Sequence, residues 1–350
     1  MTLGPLMIDL QGTELAPEER EMLQHPLVGS VILFTRNYID PEQLARLVQA
    51  IHAARTPPLA IAVDHEGGRV QRFRNGFSLL PAMRRIGHEF DAARESGLQL
   101  ARELGWLMAA ELRACGVDLS FAPVVDLDYG VNKAIGDRAL HAHAAAVGEL
   151  AVAYMHGMRD AGMMATAKHF PGHGAVVADS HLSLPVDRRS LADLTNDLQP
   201  YRHLIANGLP GVMMAHVLFP EIDAAPAGFS AYWVQDVLRR DLGFKGLVFS
   251  DDLSMQGAAV VGDIVVRASR ALAAGCDVLP VCNDRAAVAQ LLDRLHAEPD
   301  PAAQLRRVRM KGHGKQDSHT LYASADWRRC RAALDRCTTP PPLRLDAGSA

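Results

Sequence analysis

Residues 28–63 read VGSVILFTRNYIDPEQLARLVQAIHAARTPPLAIAV, and this stretch contains the unit from which the fold is built. Two short apolar runs, Val28–Phe34 and Leu59–Val63, flank a segment of good helix formers at Asp40–Ala54. Because each run is apolar at consecutive positions, both faces of each predicted strand are expected to be buried. A strand, a helix and a second strand in this order are typical of a parallel sheet covered by helices.

The same unit recurs along the chain. Six further apolar runs are each followed by turn or polar residues: Leu6–Leu10, Val117–Val125, Met163–Ala167, Gly211–Ala215, Gly246–Phe249 and Cys276–Val281. Segments with helical spacing lie between the runs, at Leu98–Arg113, His143–Ala161 and Ile264–Ala274. Eight repeats suit a closed barrel, whose typical size is ~250 residues, better than an open doubly wound sheet. We therefore predict an α/β fold consisting of a single (β/α)8 TIM-type barrel.

The predicted barrel occupies residues 1–296, because no Gly/Ser-rich linker or break in composition divides them. After His296 the chain changes character. We predict that residues 297–350 form a short C-terminal helical extension and a flexible tail, which contains the proline run Pro340–Pro342.

Composition narrows the class of protein and its partners. The 350 residues are 49% hydrophobic and 22% charged, with a formal net charge of -4, so the chain lacks the basic footprint of a protein that binds nucleic acid or an anionic membrane. Five cysteines without a CxxC pair predict neither a disulfide framework nor a structural zinc site. The N-terminus lacks the pattern of a signal peptide, so we expect a cytoplasmic protein that acts on a small molecule. No heptad repeat is visible, and a monomer is expected.

Polar residues collect where the predicted strands end. The third run is followed by DHEGGR (64–69) and the fifth by KHFPGHG (168–174), while the seventh is followed by SDD (250–252). The carboxyl ends of parallel strands lie on one face of a barrel, where its active site is found. Charges there are costly unless they face a polar cavity, so the sequence predicts a polar pocket on this face.

Asp64 and the Asp251-Asp252 pair each allow two interpretations. Asp64 either accepts hydrogen bonds from neutral donors such as sugar hydroxyls or pairs with Arg69 or Arg72 to brace the turn. Of two adjacent carboxylates at a strand end, only one faces the pocket, as a candidate nucleophile or general base. The other is a candidate cap for the turn that follows.

Asp179 and His181 are two residues apart, so their side chains point the same way in an extended segment. A carboxylate beside an imidazole favours the protonated ring, which a general acid needs near neutral pH. The alternative is a surface loop that contains Asp-Ser-His by chance.

Four motifs together resemble the family 3 glycoside hydrolases: DHEGGRVQRF (64–73), NKAIGDRAL (132–140), KHFPGHGAVVADSH (168–181) and FSDDLSM (249–255). The resemblance covers about residues 5–295. It implies a (β/α)8 fold and an exo-acting β-N-acetylglucosaminidase without cofactor or metal. The implied reaction removes terminal non-reducing β-linked N-acetylglucosamine from anhydromuropeptides in cell-wall recycling, with retention of configuration.

The resemblance also implies roles for single residues. By position in the motifs, Asp251 resembles the family's nucleophile and His181, assisted by Asp179, its general acid/base. Five residues match the family's sugar-binding positions: Asp64, Arg72, Arg138, Lys168 and His169.

Two other functions stay open on the sequence alone. A metal-dependent barrel hydrolase is suggested by five histidines near predicted strand ends: His65, His169, His173, His181 and His216. A sugar-binding barrel without catalytic activity is the second alternative.

Overall fold

The computed structural model describes residues 2–180, 183–314 and 317–338. The strands of these ranges are β1 Leu6–Asp9, β2 Val28–Leu33, β3 Ala60–Val63, β4 His65–Gly67, β5 Val70–Gln71, β6 Leu119–Ser120, β7 Thr166–Phe170, β8 Gly211–Met214, β9 Leu247–Phe249 and β10 Leu279–Val281. The α-helices are α1 Pro17–Gln24, α2 Pro41–His52, α3 Arg84–Ala92, α4 Arg94–Ala114, α5 Ala144–Asp160, α6 Thr195–Ala206, α7 Ile264–Ala274, α8 Arg285–Arg294, α9 Pro301–Arg309, α10 Ser318–Ala323 and α11 Ala325–Thr338. A π-helix covers Tyr232–Asp241.

The strands form two parallel sheets. One has the order β10-β1-β2-β3-β6 and the other the order β7-β8-β9, while β4 and β5 form a separate antiparallel hairpin. Seven of the eight predicted apolar runs contain one parallel strand each, and the eighth, Met163–Ala167, overlaps the first two residues of β7. The prediction of an α/β protein with parallel strands is therefore confirmed.

The edges of the two sheets lie beside each other. Val124 forms a parallel bridge with Lys168 of β7, and Phe249 of β9 forms one with Val278. Backbone hydrogen bonds support both junctions, from Val125 N to Lys168 O (2.8 Å) and from Asp277 N to Val248 O (2.7 Å).

Alternation along the strands divides the core into two apolar clusters. Neighbouring residues of β1 illustrate this, because Met7 belongs to a small cluster while Leu6 and Ile8 belong to a large one. The small cluster also takes residues from other strands and the segments beside them, among them Ile32, Ala62, Leu119, Met213, Phe249 and Val278. The large cluster contains apolar residues of the helices, such as Leu47 of α2 and Leu107 of α4. Each parallel strand is thus buried on both faces, as its continuous apolar sequence predicts.

Local signals set the helix boundaries. Asp40 precedes α2 and its carboxylate accepts a hydrogen bond from Gln43 N at 2.7 Å, while Pro41 occupies the first helical position. Asp263 caps α7 in the same way. These helices agree with the predicted segments to within two residues at each end.

Strand β7 runs three residues further than its apolar run. The prediction ended this strand at Ala167 and placed Lys168, His169 and Phe170 after it, which is wrong, because the backbone of β7 pairs with β8 up to Phe170. The register shifts between Lys168 and Phe170. Such an irregularity re-aims side chains at the end of a strand.

Among the described residues after 296, the chain forms three helices: α9, α10 and α11. Helix α11 packs against α4, with Cys330, Ala333 and Leu334 buried, and Trp327 Nε1 donates a hydrogen bond to Glu111 at 2.8 Å. The predicted tail from residue 339 onward lies outside the described residues. Over the described ranges, every helix is too short or too polar to cross a lipid bilayer.

Candidate active site

A cavity of about 320 Å³ opens at the carboxyl ends of the parallel strands. Thirteen residues line it: Asp64, Glu66, Arg69, Val70, Arg72, Ala134, Ile135, Arg138, His169, His173, Asp179, Ser180 and Asp251. A second cavity of about 360 Å³ shares Asp64, Arg72 and Asp251 with the first. Six predicted site residues, far apart in sequence, therefore line one cavity: Asp64, Arg72, Arg138, His169, Asp179 and Asp251.

Asp64 follows β3 directly and lies between two cations. Lys168 Nζ is 2.9 Å from its Oδ1, and Arg72 Nη2 is 3.6 Å from its Oδ2. Burial alone would raise the pKa of this carboxyl, but Lys168 and Arg72 hold it below its ordinary value. Asp64 is thus an ionised acceptor at the cavity wall. Of the two bracing partners that the sequence allowed, Arg72 is the neighbour, whereas Arg69 donates to the carbonyl of Ala134 at 2.6 Å.

Glu66 is a site residue that the predictions missed. Its carboxylate accepts two hydrogen bonds of 2.8 Å from Arg138, through Nε and Nη2, and Lys168 Nζ lies 2.6 Å from its Oε1. The side chain is 1% exposed. Burial works against its ionisation, yet Arg138 and Lys168 keep its pKa below the ordinary range. The signal in the sequence was a second carboxylate two positions after Asp64.

The turn after Glu66 requires its glycines. Gly67 and Gly68 have φ angles of 117° and 54°, and a Cβ on Gly67 would lie 2.4 Å from the carbonyl oxygen of Pro81. Such φ values and so close an approach favour residues without a side chain. The pair thereby lets β4 and β5 form a hairpin directly beside the cavity.

Asp126 is a second carboxylate that the predictions missed, and it holds two histidines of the KHFPGHG segment. Its Oδ2 lies 2.7 Å from His169 Nδ1, and its Oδ1 accepts a hydrogen bond from His173 N at 2.7 Å. The pKa of Asp126 is lowered, because His169 outweighs the effect of burial. With Nδ1 engaged by Asp126, His169 presents Nε2 as its other polar atom. Asp126 followed the fourth apolar run, so its position at a strand end was the available signal.

His173 connects this network to the DSH segment. Asn132 Nδ2 lies 2.9 Å from His173 Nδ1, and His173 Nε2 lies 3.2 Å from Ser180 Oγ. The Asn132 side-chain oxygen accepts from two backbone N–H groups, those of Ala134 and Ile135, which fixes the amide orientation. His173 Nδ1 is therefore the acceptor, and Nε2–H donates to Ser180. Burial lowers the pKa of His173, which agrees with a neutral ring.

The two adjacent aspartates have different surroundings. Asp252 Oδ1 accepts hydrogen bonds from Ser254 N (3.0 Å), Ser254 Oγ (2.5 Å) and Cys282 N (3.0 Å). Asp251 lines both cavities, whereas Asp252 lines only the second, and Asp251 Oδ1 accepts a hydrogen bond from Asp252 N at 2.9 Å. The turn is thus held by Asp252, and Asp251 is the carboxylate that faces the pocket.

Two of the histidines near strand ends do not line the cavity. His65 lies buried among aromatic rings, with its ring centre 5.5 Å from that of Phe77, and burial lowers its pKa to about 3. His216 stacks on Phe229 and its Nε2 lies 2.9 Å from the backbone oxygen of Asp252. His216 therefore supports the turn of the two aspartates, whereas His65 belongs to the core.

Three predicted site residues remain, namely Lys168, Asp179 and His181. Lys168 is buried behind the cavity wall and contacts Asp64 and Glu66 through its ammonium group. Asp179 lines the cavity, while His181 lies outside the described residues. Among the residues that the structure describes, no group of three or more His, Cys, Asp or Glu side chains is placed to hold a metal ion.

Known proteins resemble this chain over nearly its whole length. Residues 6–310 match the family described as glycosyl hydrolase family 3 N terminal domain. The chain is 53% identical over 346 residues to a "Beta-hexosaminidase" of Thioalkalivibrio sulfidiphilus, across 99% of this chain and 100% of that protein. It also resembles the crystal structure of NagZ from Neisseria gonorrhoeae in complex with N-trifluoroacetyl-D-glucosamine, with a TM-score of 0.92 and 42% identity over 97% of this chain and 99% of that one. A structure of the same Neisseria protein in complex with zinc ion gives a TM-score of 0.91 and 41% identity over the same shares. All thirteen residues that line the first cavity fall within residues 6–310, the range that matches the family.

Proposed function

Because the chain belongs to glycosyl hydrolase family 3, we propose that it is a retaining exo-β-N-acetylglucosaminidase. The observation that carries the proposal is one cavity that Asp251 lines together with Asp64, Arg138 and His169. Charged side chains of both signs offer hydrogen-bond donors and acceptors, which suits a neutral sugar ring with several hydroxyl groups. The name of the Thioalkalivibrio relative and the sugar derivative in the Neisseria structure support the same assignment.

The proposed natural substrates are anhydromuropeptides, from which the enzyme removes terminal N-acetylglucosamine during cell-wall recycling in the cytoplasm. The support is the resemblance of the four motifs to this branch of the family. We expect the protein to act as a monomer without cofactor.

The proposed reaction has two displacements at the anomeric carbon. In the first, an Asp251 oxygen bonds to C1 while the C1–O glycosidic bond breaks, and His181 gives its proton to the departing oxygen. In the second, water attacks C1 and returns a proton to His181, and the bond from C1 to Asp251 breaks. Asp179 would stabilise the protonated imidazole of His181. Two inversions give overall retention.

Substrate binding is assigned to the charged groups at the cavity wall and to Lys168, which lies behind it. Asp64 is an ionised acceptor for hydroxyl groups, while Arg72, Arg138 and Lys168 are donors. His169 presents its Nε2 toward the sugar because Asp126 engages Nδ1. Since the cations are paired with carboxylates, they offer hydrogen bonds without a large excess of charge.

We further propose that the two parallel sheets form one closed (β/α)8 barrel over residues 1–296. The bridges Val124–Lys168 and Phe249–Val278 support this, because they lie at the two junctions that a ring of eight strands requires. A closed ring brings the carboxyl ends of all strands to one face.

The test of function is hydrolysis of aryl glycosides. We expect 4-nitrophenyl N-acetyl-β-glucosaminide to be cleaved and the corresponding glucoside to be a poor substrate. A 2-fluoro sugar analogue should label Asp251, and peptide mapping identifies the labelled residue. Label on Asp252 would contradict the assignment of the nucleophile, and binding of the sugar without turnover would favour the sugar-binding alternative.

A metal-dependent hydrolase is tested in the same assay. We expect EDTA to leave the rate unchanged, because the proposed steps use only protein side chains and water. Zinc belongs in the control series, since a structure of the Neisseria relative contains it. Activity that is lost with EDTA and restored by zinc would contradict the proposed mechanism.

A further inference from the structure

We propose that Glu66 is a positioning residue that fixes Arg138 and Lys168 for sugar binding. This inference rests on the proposed function and adds a residue to it. Glu66 lies 72 positions from Arg138 and 102 from Lys168 in the chain (138 − 66 and 168 − 66), so only the fold brings the three together.

Glu66 determines which N–H groups of Arg138 remain for a ligand. Arg138 Nε and Nη2 each donate to the carboxylate at 2.8 Å, and Nη1 donates to the carbonyl of Ala134 at 3.0 Å. A guanidinium carries one N–H on Nε and two on each terminal nitrogen. One N–H therefore remains on Nη1 and one on Nη2. The two bonds to Glu66 fix the plane of the group and hence the direction of those N–H bonds.

The same carboxylate orients Lys168. The ammonium group lies 2.6 Å from Glu66 Oε1 and 2.9 Å from Asp64 Oδ1, which leaves one of its three N–H bonds. Lys168 is 3% exposed at its side chain, so its stem has little freedom to reorient. Glu66 and Asp64 together therefore decide where this last N–H points.

Glu66 also balances charge between two neighbouring cations. Burial lowers the pKa of Lys168 and Arg138 lowers it further, but Asp64 and Glu66 more than compensate and raise it. Asp64, Glu66, Arg138 and the face of the Phe121 ring, 5.9 Å away, are the groups that bear on this ammonium. Removal of the charge on Glu66 leaves two buried cations beside each other with one carboxylate fewer.

Glutamine at position 66 has nearly the shape of glutamate but lacks its charge and its second acceptor oxygen. Glu66 Oε1 contacts both Lys168 and Arg138 Nη2, and Oε2 accepts from Arg138 Nε. A glutamine offers one oxygen and one NH2 group. In either orientation its NH2 group points hydrogens at a cation. Glu66→Gln therefore disturbs both Arg138 and Lys168.

The experiment compares Glu66→Gln and Glu66→Asp with a matched control, Glu111→Gln. Glu111 is also a buried glutamate that accepts three hydrogen bonds, from Ser78 N, Ser78 Oγ and Trp327 Nε1, but it lies away from the cavity. For each protein we would measure the pH profile of Kd for N-acetylglucosamine by calorimetry, together with KM and kcat for 4-nitrophenyl N-acetyl-β-glucosaminide. Thermal unfolding shows the folded fraction.

Glu66→Gln should raise Kd and KM roughly tenfold or more and move the alkaline limb of the profile to lower pH. The limb moves because Lys168 loses its proton more readily without the second carboxylate. Glu66→Asp keeps the charge, so it should raise Kd while the limb stays in place. Glu111→Gln should lower the unfolding temperature and leave Kd and the profile unchanged.

Wild-type Kd and an unmoved alkaline limb in folded Glu66→Gln would overturn the inference. If that variant does not fold, Glu66→Asp decides, and wild-type affinity in it would likewise overturn the inference. A wild-type protein that binds N-acetylglucosamine but does not hydrolyse the aryl glycoside would contradict the proposed function alone, because Kd still tests Glu66.

Discussion

Asp252→Asn separates the roles of the two adjacent aspartates. All three hydrogen bonds to the Asp252 side chain end on Oδ1, so an asparagine with its oxygen at this position retains them. The substitution removes only the ability to ionise. Because Asp251 is the carboxylate that faces both cavities, we expect Asp252→Asn to keep the activity.

The expected effect on stability follows from the pKa of Asp252. Burial raises this pKa from 3.8 to about 6, against the hydrogen bonds from Ser254 and Cys282. Between these two pH values the folded protein holds a proton that the unfolded chain releases, so stability falls as the pH rises from about 4 to about 6. At about 1.4 kcal/mol per pH unit, the ionised carboxyl costs the fold up to roughly 3 kcal/mol above that range. Since Asp252 is partly exposed, screening reduces the expected effect to about 1–2 kcal/mol.

The assay is urea unfolding of wild type and Asp252→Asn at pH 4 and pH 7.5. The variant should gain stability relative to wild type on going from the lower to the higher pH. Hydrolysis of the aryl glycoside is measured in parallel. Equal stability differences at the two pH values would refute the reasoning about burial, and loss of activity in the folded variant would refute the assignment of Asp251.

Four further outcomes are expected. Asp251→Asn should lower kcat/KM for the aryl glycoside by at least about 10³-fold with an unchanged circular dichroism spectrum; a loss below tenfold would exclude it as nucleophile. His181→Ala should slow substrates with poor leaving groups far more than activated aryl glycosides, and an equal loss on both would give His181 another role. Asp126→Asn, which leaves His169 and His173 without a carboxylate, should lower kcat/KM by about 10–100-fold, because hydrogen bonds to a charged group contribute about 1.5–3 kcal/mol; an unchanged rate would contradict its role. Because burial lowers the pKa of His65 to about 3, the wild-type protein loses stability as the pH falls from about 6.5 toward 3, and His65→Phe should escape this loss. Urea unfolding of both proteins at pH 7 and pH 4.5 tests this, and a stability difference that does not grow in acid would contradict it.

The positions of the strands could be predicted because each is buried on both faces and is therefore apolar throughout. Leu59–Val63 and Gly211–Ala215 contain β3 and β8 for this reason. The end of β7 could not be predicted in this way. Lys168 and His169 are polar, and they lie within the strand because Lys168 and Phe170 pair with β8 and because the carboxylates of Asp64, Glu66 and Asp126 contact their side chains.

The sequence also pointed to one pocket, and six of its predicted residues line the cavity. It did not reveal the roles of Glu66 and Asp126, because their positions near strand ends do not show which groups their carboxylates contact. Their partners lie 72 and 43 positions away, at Arg138 and His169.

By itself, the sequence determined the α/β class, the number and order of the apolar runs and the motifs of the family, since these depend on local burial and on residue identity. The tertiary structure decided which of two adjacent aspartates faces the pocket and which carboxylates hold Arg138, Lys168 and His169. The physical reason is that ion pairs and hydrogen bonds depend on distances of about 3 Å, and strands distant in sequence reach such distances only where their carboxyl ends meet.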